Sequence, residues 1–283
     1  LAMIHGNIVA NHGSLENFNT ALKLMLLLNP LSYKEDLDQL ARRSAGSQWN
    51  FDPVQEWILA AGSGAASAPR CLVVVDGAGK GKSTISAALI RSVLGRGPVS
   101  AHHLVKFSDQ RRRDPVAMLK SLVYQVAQRV VAVRDLVFQL DVKEVDMLRD
   151  LGQTPNSTVE NASSDNGSSD DDDDDDDDDN GAGAWELLGS CLEKGCAGNE
   201  VIILIDALDE GDPPEQQRAD FDPNTGGIEP VGNKALRLLV GYLSRLPPNF
   251  RFIVTTRPDA VLGSVMSVLE RCFGGEGSCL ALD

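Results

Sequence analysis

A short apolar run, a glycine-rich loop and a helix-forming segment follow one another and constrain the fold of this chain more than any other feature. Residues 71–75 read CLVVV, a β-branched run typical of a strand buried on both faces of a parallel sheet. The loop DGAGKGKST begins at Asp76, and ISAALIRSVL after it favours a helix. Gly81, Lys82 and Ser83 fill the last three positions of the pattern G-x-x-x-x-G-K-[ST]. The sequence therefore predicts a phosphate-binding loop.

Each residue type in this loop has a chemical role. Glycines let the backbone turn tightly and direct successive amides toward phosphate oxygens, and the following helix adds the positive end of its dipole. Lys82 is predicted to contact the β- and γ-phosphates, and the Ser83 hydroxyl to bind Mg²⁺. Asp76 stands where the first glycine of the pattern is expected, and a carboxylate facing the phosphates would weaken nucleotide binding. The predicted nucleotide-binding residues are Gly77, Ala78, Gly79, Lys80, Gly81, Lys82, Ser83 and Thr84.

A second apolar run ends in three acidic residues. VIILI at 201–205 is followed by Asp206, at the position where a P-loop protein places the carboxylate that orders Mg²⁺ through its water shell. Asp209 and Glu210 come within one further turn. We therefore predict that one of these two carboxylates stands near the γ-phosphate and polarises a water molecule.

A third apolar run ends in hydroxyls and a cation. RFIVTT at 251–256 leads into Arg257, which places Thr255, Thr256 and the guanidinium at the carboxyl edge of the sheet, where ligands bind in open α/β folds. Arg251, at the other end of this run, is predicted to be a surface charge. The basic cluster QRRRD at 110–114 is predicted to be a solvated surface loop.

Strands alternating with helices predict a parallel, three-layer α/β sheet. Further strands are expected in SAHHLVKF at 100–107 and in SCLALD at the end of the chain, and a helix is expected to open at Asp114 and Pro115. Residues 1–48 are predicted to form a helical N-terminal segment, with Ser32 as one N-cap. The α/β domain is predicted to span residues 49–283.

An acidic segment interrupts the predicted domain. Residues 152–183 are rich in Ser, Asn and Gly and contain ten consecutive aspartates, so we predict a disordered insertion. The chain has a net charge of −15, ten units of which come from this run, so the remainder carries −5. Because no basic excess is present, neither nucleic acid nor an anionic membrane surface is an expected partner.

Cysteine usage and hydropathy bear on the compartment. The five cysteines show no C-x-x-C spacing, and two lie in apolar strand-like runs, so reduced thiols are expected. The apolar run LKLMLLL is too short to span a bilayer. We therefore expect a cytoplasmic protein without a membrane segment.

Four segments, taken in order, resemble the NACHT branch of the STAND P-loop NTPases, including fungal, algal and nephrocystin-like types. They are GAGKGKST, FSDQRRRDPVAMLKSLVYQVA, VIILIDALDEGD and LSRLPPNFRFIVTTRPD. The resemblance spans residues 49–283 apart from the acidic insertion, and it implies the sheet order 5-1-4-3-2. It also implies that Arg257 senses the γ-phosphate and that Asp206, with Asp209 or Glu210, supplies the Walker B acids.

The resemblance implies a signal-transduction switch that binds ATP, or GTP, with Mg²⁺ and hydrolyses it slowly. Expected partners are other protein domains of a longer chain, and further copies of the chain on activation. No N-K-x-D pattern for guanine is present, and GNKAL at 232–236 does not fit it. Two alternatives stay open: a P-loop small-molecule kinase, and a degenerate scaffold in which Asp76 has weakened nucleotide binding.

Overall fold

A parallel β-sheet forms the centre of the protein in the computed structural model. The structure describes residues 15–43, 52–62, 69–92, 100–151, 176–211, 233–258, 265–273 and 279–282. The strands are β1 (Cys71–Val75), β2 (Ser100–Leu104), β3 (Val201–Asp206), β4 (Phe250–Thr256) and β5 (Cys279–Leu282). They lie in the order β2-β3-β4-β1-β5, and every neighbouring pair is parallel.

Helices connect the strands and surround the sheet, so the predicted parallel α/β fold is confirmed. Those described are α1 (Leu15–Leu28), α2 (Lys34–Arg43), α3 (Asp52–Gly62), α4 (Lys82–Ser92), α5 (Pro115–Ala127), α6 (Val131–Phe138), α7 (Val142–Asp150), α8 (Asp176–Gly195), α9 (Lys234–Gly241) and α10 (Val265–Phe273). Asp114 caps α5 as predicted, because its side chain accepts a hydrogen bond from the Val116 amide at 2.8 Å. In the part of the chain described, no helix has the length and apolar character needed to cross a membrane.

The two faces of the sheet are covered by two apolar clusters. Successive strand residues point to opposite faces, so Leu72 and Val73 of β1 belong to different clusters. Trp57 of α3 and Leu89 of α4 pack on the face that Leu72 shares, whereas the larger cluster lies on the other face. Burial on both sides explains why β1 and the first five residues of β3 are continuous apolar runs rather than alternating ones.

Helix α1 shares the larger cluster with the sheet. Leu24 and Leu28 are buried in it, and the Leu31 amide after the helix donates to Ser121 Oγ of α5 at 2.8 Å. Helix α2 begins at Lys34, and its Leu37 amide donates to the Tyr33 carbonyl, so the N-cap lies one residue after the predicted Ser32. The predicted domain boundary at residues 48 and 49 lies outside the described residues.

The C-terminal part of the predicted insertion overlaps a helix of the structure. Helix α8 begins at Asp176, so the residues from there to Gly183 are helical, and residues 152–175 lie outside the described part. Buried Leu188 and Leu192 anchor the helix to the larger cluster. Composition alone indicated disorder because it contains no information on this packing.

Two arginines predicted to lie at the surface are buried. Arg251 is 3% exposed and stacks over the Trp57 ring at 3.6 Å. Arg112, in the predicted surface loop, is 8% exposed and pairs with Asp36 at 2.5 Å and Asp109 at 3.3 Å. Neither Trp57 nor Asp36 is near its arginine in sequence, so only the tertiary structure reveals these partners.

Candidate functional site

The carboxyl ends of three adjacent strands meet at one edge of the sheet. β4 lies between β1 and β3, and all three run in the same direction. Asp76 follows β1, Asp206 ends β3 and Arg257 follows β4. The Asp76 amide donates to the Thr256 carbonyl at 3.4 Å. The three sequence segments predicted to carry the chemistry are therefore brought together.

The loop after β1 has the backbone conformation that its glycines allow. Gly79 and Gly81 have φ values of 74° and 95°, in the left-handed region that disfavours other residues. A Cβ atom added at Gly79 would meet nothing within 4 Å, so the loop is open on this side. Helix α4 begins directly after the loop, at Lys82, and the Ile85 amide donates to the Gly81 carbonyl. The loop therefore lies at a helix N-terminus, where backbone amides favour an anion.

The polar groups of the loop are engaged with the loop itself. Lys82 Nζ donates to the Asp76 carbonyl and, at 2.8 Å, to the Gly77 carbonyl. Asp76 Oδ1 accepts from the Gly77 amide at 2.6 Å. Lys80 is exposed, whereas Ser83 and Thr84 at the start of α4 are half-buried. A ligand at this loop would have to replace the two carbonyl contacts of Lys82.

Asp206 is the buried acid of the site. Its side-chain Oδ1 accepts from Ser86 Oγ at 2.6 Å and from Thr255 Oγ1 at 2.7 Å. Burial raises the pKa of Asp206, while hydrogen bonds from Ser86, Thr255 and Ser83 act to lower it. The loop serine and the strand aspartate thus share one hydrogen-bonded cluster. Sequence reasoning missed Ser86, which lies three residues after Ser83 and so on the same helix face.

Asp209 and Arg257 are paired. The chain leaves β3 through Ala207, whose φ of 55° is left-handed, and enters a 3-10 turn at Leu208–Gly211. Asp209 Oδ1 accepts from the Arg257 amide at 3.1 Å, and its Oδ2 lies 3.0 Å from Arg257 Nε. The Arg257 side chain is 49% exposed, whereas that of Asp209 is 8% exposed. One predicted catalytic acid is therefore held by the predicted sensor.

Glu210 is directed toward a different strand. Its Oε2 accepts from the Phe107 amide at 3.1 Å, just after β2. The two neighbouring acids therefore have different partners: Asp209 contacts the residue after β4, and Glu210 contacts the segment after β2. Only the Oε2 oxygen of Glu210 is seen in a hydrogen bond to a described residue.

One family comparison bears on this site. Residues 47–170 match the family model described as Nephrocystin 3, N-terminal. The match covers less than half of the 283 residues; it includes the whole loop at 76–84 and ends before Asp206. No curated protein and no solved structure matches the chain significantly. The segment that contains the glycine-rich loop is thus similar to the N-terminal region of nephrocystin 3.

Proposed function

We propose that this chain is the nucleotide-binding module of a signal-transduction switch. It binds ATP or GTP with Mg²⁺ at the sheet edge, hydrolyses the nucleotide slowly and reports the presence of the γ-phosphate. The observation that carries the proposal is that the loop from β1 to Lys82, the end of β3 at Asp206 and the residue after β4, Arg257, lie at the carboxyl ends of three adjacent parallel strands. The resemblance to NACHT-type STAND NTPases and the nephrocystin 3-like segment support the same function.

The phosphates are expected to bind at the loop. Gly79 and Gly81 adopt the left-handed conformations of a tight anion-binding turn, and α4 contributes the positive end of its dipole. Lys82 then exchanges its contacts with the Asp76 and Gly77 carbonyls for phosphate oxygens. This exchange is favourable because the ammonium then faces an oppositely charged phosphate oxygen, whereas the carbonyl oxygens that it leaves are uncharged.

Two oxygen donors fit Mg²⁺. The Ser83 hydroxyl and the Asp206 carboxylate share one cluster, and Mg²⁺ prefers such oxygen ligands together with phosphate and water. When bound, the ion would neutralise charge on the phosphate oxygens. Ser86 and Thr255 both donate to Oδ1 of Asp206, which orients the carboxylate before any ligand arrives.

Arg257 is the proposed reporter of the γ-phosphate. Its guanidinium is half-exposed and pairs with Asp209, so a third phosphate can compete for it. Asp209 uses both carboxylate oxygens on Arg257, which makes it a positioning residue for the sensor. Glu210 is then the better candidate for the acid that polarises the attacking water, and it is bonded to the Phe107 amide through one oxygen.

The switch would act through other parts of a longer chain. Loss of the γ-phosphate releases Arg257, and the change is passed to neighbouring domains and to self-association in the cytoplasm. Neither nucleic acid nor a membrane is an expected partner, since the charge outside the aspartate run is only −5.

A specific observation favours a second candidate, a scaffold without bound nucleotide. The Asp76 carboxylate occupies the Gly77 amide, which a phosphate would otherwise use, and Lys82 is bonded to loop carbonyls. In this alternative the loop is stabilised by its own groups, and the sheet edge serves only to fix the fold.

Calorimetric titration of ATP, GTP and ADP, with Mg²⁺ and with EDTA, followed by product analysis, separates these functions. The proposed function predicts binding of a triphosphate that Mg²⁺ strengthens, with slow release of phosphate. Absence of binding under every condition would establish the scaffold. Transfer of phosphate to an added small-molecule acceptor, faster than its release to water, would establish a kinase.

A further inference from the structure

We infer that Thr255 is a positioning residue that couples the Mg²⁺-facing carboxylate of Asp206 to the sensor Arg257, an inference that rests on the proposed function. Its side-chain oxygen takes part in two hydrogen bonds. It donates to Asp206 Oδ1 at 2.7 Å and accepts from the Ala207 amide at 2.8 Å. A hydroxyl has one proton and two lone pairs, so it can make both contacts at once.

These two hydrogen bonds join the end of β3 to the end of β4. Ala207 directly precedes the 3-10 turn that carries Asp209. The Asp209 carboxylate contacts both the backbone amide and the guanidinium of Arg257. Arg257 itself lies two residues after Thr255. The bonds of Thr255 to Asp206 and Ala207, and the pairing of Arg257 with Asp209, therefore both connect the segment after β3 with the end of β4.

The two links differ in their surroundings. Thr255 is 1% exposed, so its hydrogen bonds are shielded from water and hard to replace. The Arg257 link is half-exposed and can be exchanged for a ligand. A displacement of the Asp206 carboxylate on metal binding would move the Thr255 hydroxyl, which also fixes the Ala207 amide ahead of the turn that carries Asp209.

Ser86 bonds the same carboxylate as Thr255 and therefore serves as the comparison for it. Its hydroxyl donates to the same Asp206 oxygen at 2.6 Å, but it comes from α4. Unlike Thr255, it does not bond the Ala207 amide, whose acceptor is Thr255 Oγ1. Ser86 therefore orients the carboxylate alone, whereas Thr255 orients the carboxylate and fixes the turn that follows it.

The test compares four variants by calorimetry with ATP and ADP, in Mg²⁺ and in EDTA. Thr255→Val removes the hydroxyl at nearly constant volume, and Thr255→Ser retains it. Ser86→Ala removes the other donor. Ser244→Ala is the control for loss of a buried hydroxyl outside the site, because the Ser244 hydroxyl donates to the Val240 carbonyl at 2.7 Å.

We expect Thr255→Val to reduce the ratio of ATP affinity in Mg²⁺ to that in EDTA about tenfold. The ratio of ATP affinity to ADP affinity should fall by at least threefold. Both effects are those expected for loss of a hydrogen bond to a charged group. Ser86→Ala should reduce the Mg²⁺ gain and leave the ATP preference unchanged. Thr255→Ser and Ser244→Ala should stay within twofold of the unmodified protein in both quantities.

Three outcomes would overturn the inference while the proposed function stands: unchanged binding by Thr255→Val, identical effects of Thr255→Val and Ser86→Ala, or failure of Thr255→Ser to restore binding. If Thr255→Val does not fold, Thr255→Ala against Thr255→Ser gives the same comparison, because these two differ only in the hydroxyl. An unmodified protein that binds no nucleotide would remove the proposed function itself, and the inference with it.

Discussion

Strand β4 has an arginine near each end, and the two differ in almost every respect. Arg251, near the amino end, is 3% exposed, stacks on Trp57 and donates to the carbonyls of Trp57 and Ile58 at 2.5 and 3.2 Å. It also pairs with Glu200 at 3.2 Å. Arg257, just beyond the carboxyl end, is half-exposed and contacts the carboxylate of Asp209.

The difference separates a structural cation from one that is able to bind a ligand. A buried guanidinium with several fixed acceptors cannot be moved without leaving polar groups unsatisfied. A half-exposed guanidinium that pairs with one carboxylate among the described residues can change partners at little cost, because water stabilises both states. The same residue type thus has opposite expected roles at the two ends of one strand.

Replacing Arg251 gives the largest expected effect. Arg251→Ala should lower the free energy of unfolding by about 3 kcal/mol, because it removes a buried cation and leaves Glu200 and two backbone carbonyls without their donor. Urea unfolding followed by circular dichroism measures the change. Arg257→Ala is the matched control and should lose less than about 0.5 kcal/mol. Equal losses of unfolding free energy in the two variants would show that both arginines contribute to stability in the same way.

A buried histidine extends the comparison to a titratable group. His103 Nε2 donates to the Arg112 carbonyl at 2.9 Å, and its Nδ1 therefore accepts from the Tyr33 hydroxyl at 2.6 Å. Burial lowers the pKa of His103 to about 4. The unfolded chain takes up a proton below its pKa of about 6.5, so stability should be full above that pH and fall by ~3 kcal/mol as the pH approaches 4.

The measurement for His103 is the urea midpoint as a function of pH. His103→Gln lacks the titrating ring, so its stability should fall less steeply between pH 6.5 and 4. The slope of the free energy of unfolding against pH should be smaller by the contribution of about one bound proton. An identical pH profile in the variant would mean that His103 is not held neutral. His102, whose pKa is also lowered to about 4, first by burial and then by the charge of His103, still titrates in this variant and keeps the part of its shift that comes from burial.

At the carboxyl edge, Lys82 should affect binding rather than stability. Lys82→Ala should weaken nucleotide affinity roughly ten- to a hundredfold, or ~1.5 to 3 kcal/mol, since the ammonium is proposed to contact the phosphates directly. Lys143→Ala, a change at an exposed lysine of α7 outside the proposed site, is the control. Calorimetry distinguishes the two, and unchanged affinity in Lys82→Ala would remove the phosphate-binding assignment.

Arg257 gives the smallest and most selective effect. Arg257→Ala should weaken ATP binding about tenfold, because the guanidinium is proposed to contact the γ-phosphate. ADP lacks that phosphate, so its affinity should change by less than about twofold, or roughly 0.5 kcal/mol. Competition binding with both nucleotides measures the ratio. Equal losses for ATP and ADP would make Arg257 a structural residue like Arg251.

The strands were the most predictable part of the fold. The sequence predicts β1 at the residues where it lies, and β3 and β4 within one residue at one end, because continuous β-branched runs favour buried parallel strands. The strand at 100–107 was predicted too long, since the regular strand stops at Leu104. The start of α8 at Asp176 was missed because the aspartate run has no apolar pattern of its own.

The partners of the site residues were less predictable than the residues themselves. Ser86 and Asp206 are 120 residues apart in the chain, and Asp209 and Arg257 are 48 apart. Spacing along the chain cannot reveal such pairs, because they depend on which strands lie side by side. Ser86 was therefore missed, and the pairing of the predicted acid with the predicted sensor was not anticipated.

Local features of this protein were determined by its sequence alone: the strand, glycine-rich loop and helix at 71–92, and the acids and cation that follow two other strands. These features depend on the backbone preferences of a few consecutive residues, and such preferences can be predicted from the residue types alone. The tertiary structure decided which of two arginines near the ends of one strand is buried and which oxygen of Asp206 is occupied. Burial and hydrogen-bond partners come from segments distant in the chain, so they exist only once the sheet has formed.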